Sequence, residues 1–216
     1  MSIRDFFKLY YKLLLSFLII FLLGLISLLT FGSRDFSIFL NGYNHPLADL
    51  FFKYITYVGD GITAFIITLL VIFFSRKIGL MLLGSLLIST GLTQILKRVI
   101  FDDIYRPSYI FKDLINNGDW HLVEGVHLFE KYSFPSGHTA TVFCVCIFIA
   151  LIINHKVWSI GLVFLAFIVG LSRIYLSQHF LIDVLTGAFI GSLSSFIVFL
   201  FFKSTLFKNK RNEIKK

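Results

Sequence analysis

The sequence predicts an all-α, polytopic membrane protein: a bundle of six transmembrane helices with one long extracytoplasmic loop. Of the 216 residues, 57% are hydrophobic and the mean hydropathy is +0.85, whereas soluble domains are about 45–50% apolar. The apolar residues are concentrated in long runs of Leu, Ile, Phe and Val, which short polar stretches separate. Such runs are typical of helices that cross a bilayer.

Six apolar segments account for the predicted spans. Each has roughly the length of about 20 residues that a helix needs to cross about 30 Å of hydrocarbon. The first run is too long for the apolar region of a cleavable signal peptide, so we interpret it as an uncleaved span. Because no repeat or domain boundary is evident, residues 1–216 are predicted to form a single domain. The spans are predicted at residues 10–31, 60–74, 78–96, 136–154, 157–175 and 180–202.

Only one connection is long, residues 97–135. Loops of this length are usually functional or disordered, and this one contains two of the three prolines and Trp120. We expect a short amphipathic stretch near residues 120–132 to lie on the membrane surface. The other connections are short, so neighbouring helices are expected to be antiparallel.

The basic residues predict the orientation. Because cytoplasmic loops are enriched in Lys and Arg, we expect both termini on the cytoplasmic side of a bacterial inner membrane and the long loop on the outer face. The net charge of +8 does not indicate nucleic-acid binding, since the basic residues lie mainly on one side and do not alternate with aromatic residues. That side would hold Arg4, Lys8, Lys12, Arg76, Lys77, Lys156, Lys203, Lys208, Lys210, Arg211, Lys215 and Lys216.

Polar residues at the ends of the spans form three clusters. Charged residues at membrane depth are costly and usually mark function. The third and fifth spans end on the outer side, and the fourth and sixth begin there, so the predicted topology brings all three clusters to one face. The clusters are Lys97, Arg98 and Arg106-Pro107; Pro135-Ser136-Gly137-His138; and Ser172-Arg173, His179 and Asp183.

These clusters have the chemistry of a phosphate site. Lys97, Arg106 and Arg173 would surround one point with cations, and guanidinium groups bind phosphate oxygens in pairs. Ser136 is the predicted N-cap of the fourth span, and Gly137 leaves backbone N–H groups accessible to an anion at the helix N-terminus. We expect neither a metal nor a cofactor.

Two histidines would carry the reaction. His179 and Asp183 are four residues apart on one helix face, so the carboxylate can accept from Nδ1–H and leave Nε2 free as a nucleophile. His138 would protonate the leaving oxygen and later activate water, while the cations stabilise the pentavalent phosphoryl group. This scheme predicts a phosphohistidine intermediate that forms without Mg²⁺.

The same residues resemble the three signature motifs of the type 2 phosphatidic acid phosphatase superfamily. The second and third motifs match fully. The first departs, because eight residues separate Lys97 from Arg106 where the family usually has six, so Arg98 is an alternative to Lys97. The motifs are Lys97…Arg106-Pro107, Pro135-Ser136-Gly137-His138 and Ser172-Arg173-x5-His179-x3-Asp183.

The resemblance implies a role for each motif residue. His179 would be the nucleophile, Asp183 its orienting partner, and His138 the general acid and base. Family members act on lipid phosphates and diphosphates, so the expected substrate is undecaprenyl diphosphate, phosphatidylglycerol phosphate or a similar lipid in the bilayer. No obligate protein partner is expected. The phosphate ligands would be Lys97, Arg106, Ser136, Gly137 and Arg173, with Arg98 and Ser172 as further candidates.

Two other functions stay open. A lipid phosphotransferase would use the same intermediate and pass the phosphoryl group to a second lipid. A non-enzymatic lipid transporter is much less favoured, because transporters usually place their charges near the midplane, often with repeats. Here the charged residues cluster at one edge, and the sequence has no internal repeat.

Other polar residues are expected to be structural or exposed. Asp60 would cap the second span, although it could also line the mouth of the site. Asp102 and Asp103 are expected to point away from the phosphate or to pair with a neighbouring arginine, Arg98. Two cysteines within one apolar segment, Cys144 and Cys146, are expected to be small core residues. The histidines expected to face solvent are His45, His121, His127 and His155.

Overall fold

The computed structural model describes the backbone of residues 3–213 and the side chains of residues 6–202. Within these limits the protein consists of helices and connecting segments, with no strand. The elements in chain order are α1 (Ile3–Asn41), α2 (Pro46–Ile55), a 3₁₀ turn (Thr56–Gly59), α3 (Gly61–Phe74), α4 (Arg76–Ile95), a π turn (Leu96–Ile100), α5 (Pro107–Ile110), α6 (Lys112–Asn117), α7 (Gly137–Ile153), α8 (Lys156–Tyr175) and α9 (Leu181–Glu213).

All six predicted apolar segments are helical. The stretches that are long and apolar enough to cross a membrane are Phe6–Asn41, Arg76–Ile100, Lys156–Tyr175 and Leu181–Phe202. The helices on either side of Asp60 pass the same test only as a pair bent by 50°. By length and hydropathy, the described residues therefore give four spans, or five with the bent pair. The remaining segment, α7, is a shorter apolar helix of 17 residues.

The first helix is longer than predicted. The sequence places the end of the first span at Phe31, but helical structure continues to Asn41 beyond a kink at Gly32. Gly32 has φ 75° and ψ 168°, a backbone conformation that glycine adopts without steric cost. The kink redirects the last turns of α1 across the end of the bundle that carries the polar clusters, where the Ser33 hydroxyl accepts a hydrogen bond from the N–H of Ile182.

Helix α7 lies at the centre of the bundle. It packs against α4, α8 and α9, and buried side chains occur on every face of it, including Cys144 and Cys146 as predicted. Helix α9 approaches it closely through Gly191, where a Cβ would lie 2.1 Å from the Ala140 carbonyl oxygen. Together with Gly187 this forms the small-x-x-x-small pattern that lets two membrane helices touch along their backbones.

The opposite end of the bundle carries basic residues. Lys12 of α1 and Lys156 of α8 line the same small pocket there, at the far end of α8 from Arg173. The other basic residues assigned to this side include several whose side chains lie outside the described residues. These are Arg4, Lys203, Lys208, Lys210, Arg211, Lys215 and Lys216.

The long connection covers the polar end of the bundle. It contains α5 and α6 and then runs irregularly to Ser136. Within the stretch near residues 120–132 that was predicted to lie on the membrane surface, Trp120 is buried, whereas Phe129 and Tyr132 are exposed. Its ring stacks on Phe111, and its indole N–H donates to the Ser177 hydroxyl at 3.0 Å. These contacts hold the connection against the segment that precedes α9.

One of the four histidines expected in solvent is also packed into the fold. His121 Nε2 lies 2.9 Å from a carboxylate oxygen of Asp49, a partner 72 residues away that no local pattern reveals. Tyr175 donates to the same carboxylate at 2.5 Å. The other three histidines, His45, His127 and His155, are exposed as expected.

Candidate active site

The three polar clusters meet at one end of the bundle. Lys97 follows α4, His138 lies in the first turn of α7, Arg173 in the last turn of α8, and Asp183 in the first turn of α9. The starts of α7 and α9 are joined directly, because the Ser136 N–H donates to the Asp183 carbonyl oxygen at 3.0 Å. The close approach of these two helices therefore brings the second and third motifs together.

The Asp183 carboxylate is fully enclosed. Its Oδ2 accepts from Ser133 Oγ at 2.5 Å and from the Phe180 N–H at 2.9 Å. His179 Nδ1 lies 3.4 Å from the same oxygen, but the geometry is not that of a hydrogen bond and Nδ1 has no partner in the described part of the chain. A small rotation of the imidazole would complete the pair, and catalytic hydrogen bonds are often long before substrate binds.

The surroundings of His179 favour its neutral form. It lies in the short connection between α8 and α9 and is 2% exposed. Burial is the main cause that lowers the pKa of His179 well below its usual range, and the charges of Arg106 and Lys97 add to the effect. Both causes disfavour the imidazolium. A neutral imidazole with Nδ1 directed to a carboxylate is the form that can act as a nucleophile at Nε2.

Arg173 is a buried cation with unused hydrogen-bonding capacity. One guanidinium nitrogen, Nη1, donates to Thr56 Oγ1 at 2.7 Å. Its Nε–H is buried and has no partner among the described residues. A buried donor without a partner costs about 1–3 kcal/mol, and a ligand that accepts from this N–H would remove that cost.

Lys97 and Arg98 lie in very different environments. Both belong to the π turn Leu96–Ile100, in which each turn contains more residues than in an α-helix. Lys97 is 8% exposed and faces the charges of Arg106 and Asp183. Arg98 points outward, where its Nε donates to Gln94 Oε1 at 3.0 Å.

Asp102 and Asp103 are both exposed, as predicted. The predicted alternative, an ion pair between one of them and Arg98, is not seen among the described residues, where Arg98 bonds to Gln94 instead. The two carboxylates therefore lie in solvent, whereas Lys97 lies in the interior of the site.

Arg106 is largely occupied by the protein itself. Its Nε donates to the Lys131 carbonyl at 2.9 Å, Nη2 to the Tyr132 carbonyl at 3.3 Å, and Nη1 to both oxygens of Gln178 at 3.1 Å. Burial lowers the pKa of Arg106, and the Asp183 carboxylate opposes that shift. The guanidinium therefore ties the long connection to the residue before His179, while its charge faces the site.

The N-terminus of α7 presents backbone donors. Ser136 is the N-cap, as predicted: its Oγ accepts from the Thr139 N–H at 3.4 Å and bonds to the Thr139 hydroxyl at 2.8 Å. Ala140 donates the first intrahelical bond, to the Ser136 carbonyl, so the N–H groups of Gly137 and His138 precede the helix ladder. Free N–H groups at a helix start attract anions.

Ser172 has a structural partner. It is fully buried, and its hydroxyl donates to the Val169 carbonyl at 2.6 Å. Such a back-bond within a helix uses the one hydroxyl proton, and this contact favours the packing role of Ser172 over phosphate binding.

Asp60 combines both of the roles weighed from the sequence. Its Oδ1 accepts from the Ile62 N–H at 2.8 Å and caps α3. Its Oδ2 lies 3.6 Å from His138 Nε2. The break between α2 and α3 therefore places the Asp60 carboxylate close to His138 of α7.

Two cavities reach the cluster from different sides. The polar cavity, about 300 Å³, is lined by Asp60, His138 and Arg173 and by residues of the long connection, including His127. The apolar cavity, about 480 Å³, reaches Asp183 between Phe134 and Phe180. The cluster thus adjoins a polar cavity and a separate, mainly apolar cavity.

Comparison with known proteins identifies the family. The profile of the PAP2 superfamily matches residues 78–206. The chain belongs to the PAP2 superfamily. The lipid A 4'-phosphatase of Porphyromonas gingivalis is 28% identical over 173 residues, covering 77% of this chain and 71% of that protein. Phosphatidylglycerophosphatase B of Bacillus subtilis is 33% identical over 155 residues, covering 64% of this chain and 68% of that protein.

A solved structure gives the same assignment. The PAP2-type phosphatidylglycerolphosphate phosphatase from Bacillus subtilis matches with a TM-score of 0.66 and 27% identity, covering 90% of this chain and 97% of that one. The membership predicted from the three motifs is therefore confirmed, and so is the class of protein: this PAP2 chain is a phosphatase.

Sequence reasoning missed three residues of the PAP2 site. Ser133 donates to Asp183, Thr56 accepts from Arg173, and Gln178 accepts from Arg106. Gln178 adjoins His179 and Ser133 lies three residues before Ser136, so proximity to a motif was a usable signal for both. Thr56 gave no such signal, because it lies in the 3₁₀ turn, 117 residues from its partner.

Proposed function

We propose that this PAP2 protein hydrolyses a lipid phosphate or diphosphate through a phosphohistidine on His179, without a metal ion. The observation that carries the proposal is the pair of buried nitrogen atoms that have no hydrogen-bond partner among the described residues, Arg173 Nε and His179 Nδ1. They lie among Lys97, Arg106 and the start of α7. A phosphoryl group entering this pocket supplies acceptors for the unpaired guanidinium N–H and an electrophile for the neutral histidine.

The proposed reaction has two steps. In the first, His179 Nε2 attacks phosphorus, the N–P bond forms, and the bond from phosphorus to the leaving oxygen breaks as His138 gives that oxygen a proton. In the second, His138 takes a proton from water, the water oxygen bonds to phosphorus, and the N–P bond breaks to release orthophosphate. Asp183 orients His179 in both steps, while Lys97 and Arg173 stabilise the charge of the pentavalent phosphoryl group.

The proposed membrane arrangement has six spans, formed by α1, the bent pair α2–α3, α4, α7, α8 and α9. Helix α7 is shorter than the other spans, but it is surrounded by other helices. In this arrangement α7 crosses the membrane with its ends covered by neighbouring helices rather than by lipid. Both termini then lie in the bacterial cytoplasm, as the basic residues at the end opposite the site support. The catalytic cluster lies at the outer face of the inner membrane, under the long connection.

The two cavities support a lipid substrate. A phosphate entering beside His138 and Arg173 would keep its charge in the polar cavity, while the hydrocarbon chain occupies the apolar cavity between Phe134 and Phe180. Undecaprenyl diphosphate and phosphatidylglycerol phosphate are the first candidates, the latter in line with the name of one relative, and the name of another relative adds lipid A phosphates. Experiment must decide which head group the substrate carries.

The test is phosphate release in detergent from these lipids in the presence of EDTA. We expect release from at least one lipid, and an acid-labile phosphoenzyme in the wild type. His179→Ala should reduce turnover at least about 10³-fold, whereas His155→Ala, at an exposed histidine remote from the site, should not. A requirement for Mg²⁺, or full activity in His179→Ala, would contradict the mechanism. Label recovered in an added acceptor lipid would indicate a phosphotransferase.

A further inference from the structure

The two carboxylate oxygens of Asp60 face different groups. Oδ1 accepts the Ile62 N–H and caps α3, whereas Oδ2 lies 3.6 Å from His138 Nε2. A helix cap needs only one side-chain oxygen, so the second is available to the histidine. Both side chains are 33% exposed and line the polar cavity. The pair therefore sits in the wall of the cavity that receives the phosphate, within a few tenths of an ångström of hydrogen-bond distance.

The turn before Asp60 is fixed against the site. A Cβ on Gly59 would lie 2.9 Å from the His138 carbonyl oxygen and 2.8 Å from Val169, so a glycine is needed for the turn to approach α7 this closely. Thr56, at the start of the same turn, accepts from Arg173 at 2.7 Å. Two contacts on one side and a helix cap on the other therefore hold Asp60 beside His138.

The charges around His138 suggest a role for the Asp60 carboxylate. Lys97, Arg106 and Arg173 all face the histidine. A general acid must carry its proton until the P–O bond breaks, and a protonated imidazole among three cations needs a counter-charge. Asp60 supplies that counter-charge, with Oδ2 3.6 Å from His138 Nε2.

We propose that Asp60 is a positioning residue for His138, which rests on the proposed function. When substrate binds, Oδ2 accepts from His138 Nε2–H and fixes the plane of the ring, so that the other ring nitrogen faces the leaving oxygen. That nitrogen gives its proton to the leaving oxygen as the P–O bond breaks and the bond from His179 to phosphorus forms. In the second step it takes a proton from water, the water oxygen bonds to phosphorus, and the N–P bond breaks.

The experiment separates the cap from the positioning role. Asp60→Asn keeps an equivalent N-cap for α3 and removes the charge that faces His138. Phosphorylation of the enzyme is followed in single turnovers by rapid quench, with a lipid phosphate and with an aryl phosphate whose acidic phenol leaves without a proton. We expect Asp60→Asn to slow the lipid reaction about 10- to 100-fold, with KM within about twofold, and to slow the aryl reaction less than about threefold.

Three comparisons make the result decisive. Asp60→Glu should recover part of the lipid rate, because a carboxylate returns. In a His138→Ala background, Asp60→Asn should cause no further loss with the lipid phosphate, since non-additive effects are the mark of residues that act together. Asp113→Asn neutralises an exposed carboxylate on α6 and should leave both rates unchanged.

Several results would overturn the role of Asp60. They are equal slowing with the two substrates, unchanged rates with both, and losses that add in the double variant. An unfolded Asp60→Asn protein would also count against it, because the amide preserves the cap. If the wild-type protein forms no phosphoenzyme at all, the proposed function itself fails, and that outcome is distinct from an active wild type with an inert substitution.

Discussion

Ser133 Oγ and Asp183 Oδ2 are 2.5 Å apart, so a residue of the long connection holds the carboxylate that is proposed to orient His179. The Phe180 N–H occupies the same oxygen at 2.9 Å. These two donors fix the carboxylate before the histidine approaches it. The orientation of the proposed nucleophile therefore depends on the connection as well as on α9.

Ser133→Ala tests this dependence. Removing a hydrogen bond to a buried carboxylate costs about 1.5–3 kcal/mol, so we expect kcat for phosphate release to fall about 10- to 100-fold with KM little changed. The control is Ser108→Ala, because Ser108 also lies in the connection and donates to a backbone carbonyl, that of Phe129, at 2.6 Å. A loss of kcat that is equal in the two variants would show that only the packing of the connection matters.

Lys97 and Arg98 can be told apart by substitution. Lys97 is buried among the charges of the site, whereas Arg98 bonds outward to Gln94. Removing one group that stabilises transition-state charge costs about 10²–10³-fold. We expect Lys97→Ala to lower kcat/KM by this amount and Arg98→Ala to lower it less than about threefold. The reverse order, measured on the same lipid, would assign the first motif to Arg98.

The contact between α7 and α9 predicts a cost for one added methyl group. In Gly191→Ala the new Cβ would lie 2.1 Å from the Ala140 carbonyl oxygen, so the helices must separate. Overpacking of this kind costs about 1–3 kcal/mol, and thermal unfolding in detergent should show a lower Tm together with lower activity. Gly91→Ala on α4 is the matched control, because no atom outside its own helix lies within 4 Å of the added Cβ. Indistinguishable Tm values would contradict the close approach.

The lowered pKa of His179 predicts an unusual pH dependence. Its ordinary value is about 6.5, so an unperturbed histidine would lose roughly tenfold of its neutral form by pH 5.5. Because burial and neighbouring cations keep His179 neutral, phosphoenzyme formation from an aryl phosphate should stay nearly constant between pH 7.5 and 5.5. A rate that falls with a midpoint near pH 6.5 would contradict the shift.

The same shift has a consequence for stability. The unfolded chain exposes His179, which then binds a proton below about pH 6.5, while the folded protein keeps it neutral. The contribution of His179 to the free energy of unfolding is therefore fully present above pH 6.5 and is lost as the pH falls. The decrease in Tm between pH 7 and pH 5 should be smaller in His179→Gln than in the wild type.

The parts that sequence predicted are those set by helix order and spacing. Once α4, α7, α8 and α9 are threaded through one bundle, Lys97, His138, Arg173 and Asp183 must lie at the same end, and they do. The N-cap at Ser136 likewise follows from a local pattern. These features depend on direction and periodicity, which the order of residues specifies.

The parts that sequence could not predict depend on irregular backbone. All four oxygen atoms that accept from Arg106 belong to the connection or to Gln178, just before His179, where no periodicity places them. The partner of His121 is 72 residues away. The contact of Asp60 with His138 arises from a 50° bend between two helices, which the amino-acid pattern marks only by Gly59-Asp60-Gly61.

The buried position of Trp120 makes it an intrinsic fluorescent reporter. The chain contains two tryptophans, and the other, Trp158, is 65% exposed near the start of α8, at the far end of that helix from Arg173. Replacing Trp158 by Phe would leave one emitter, stacked on Phe111 and hydrogen-bonded two residues before His179. Its emission wavelength would then report, in real time, whether Trp120 keeps this packing during turnover.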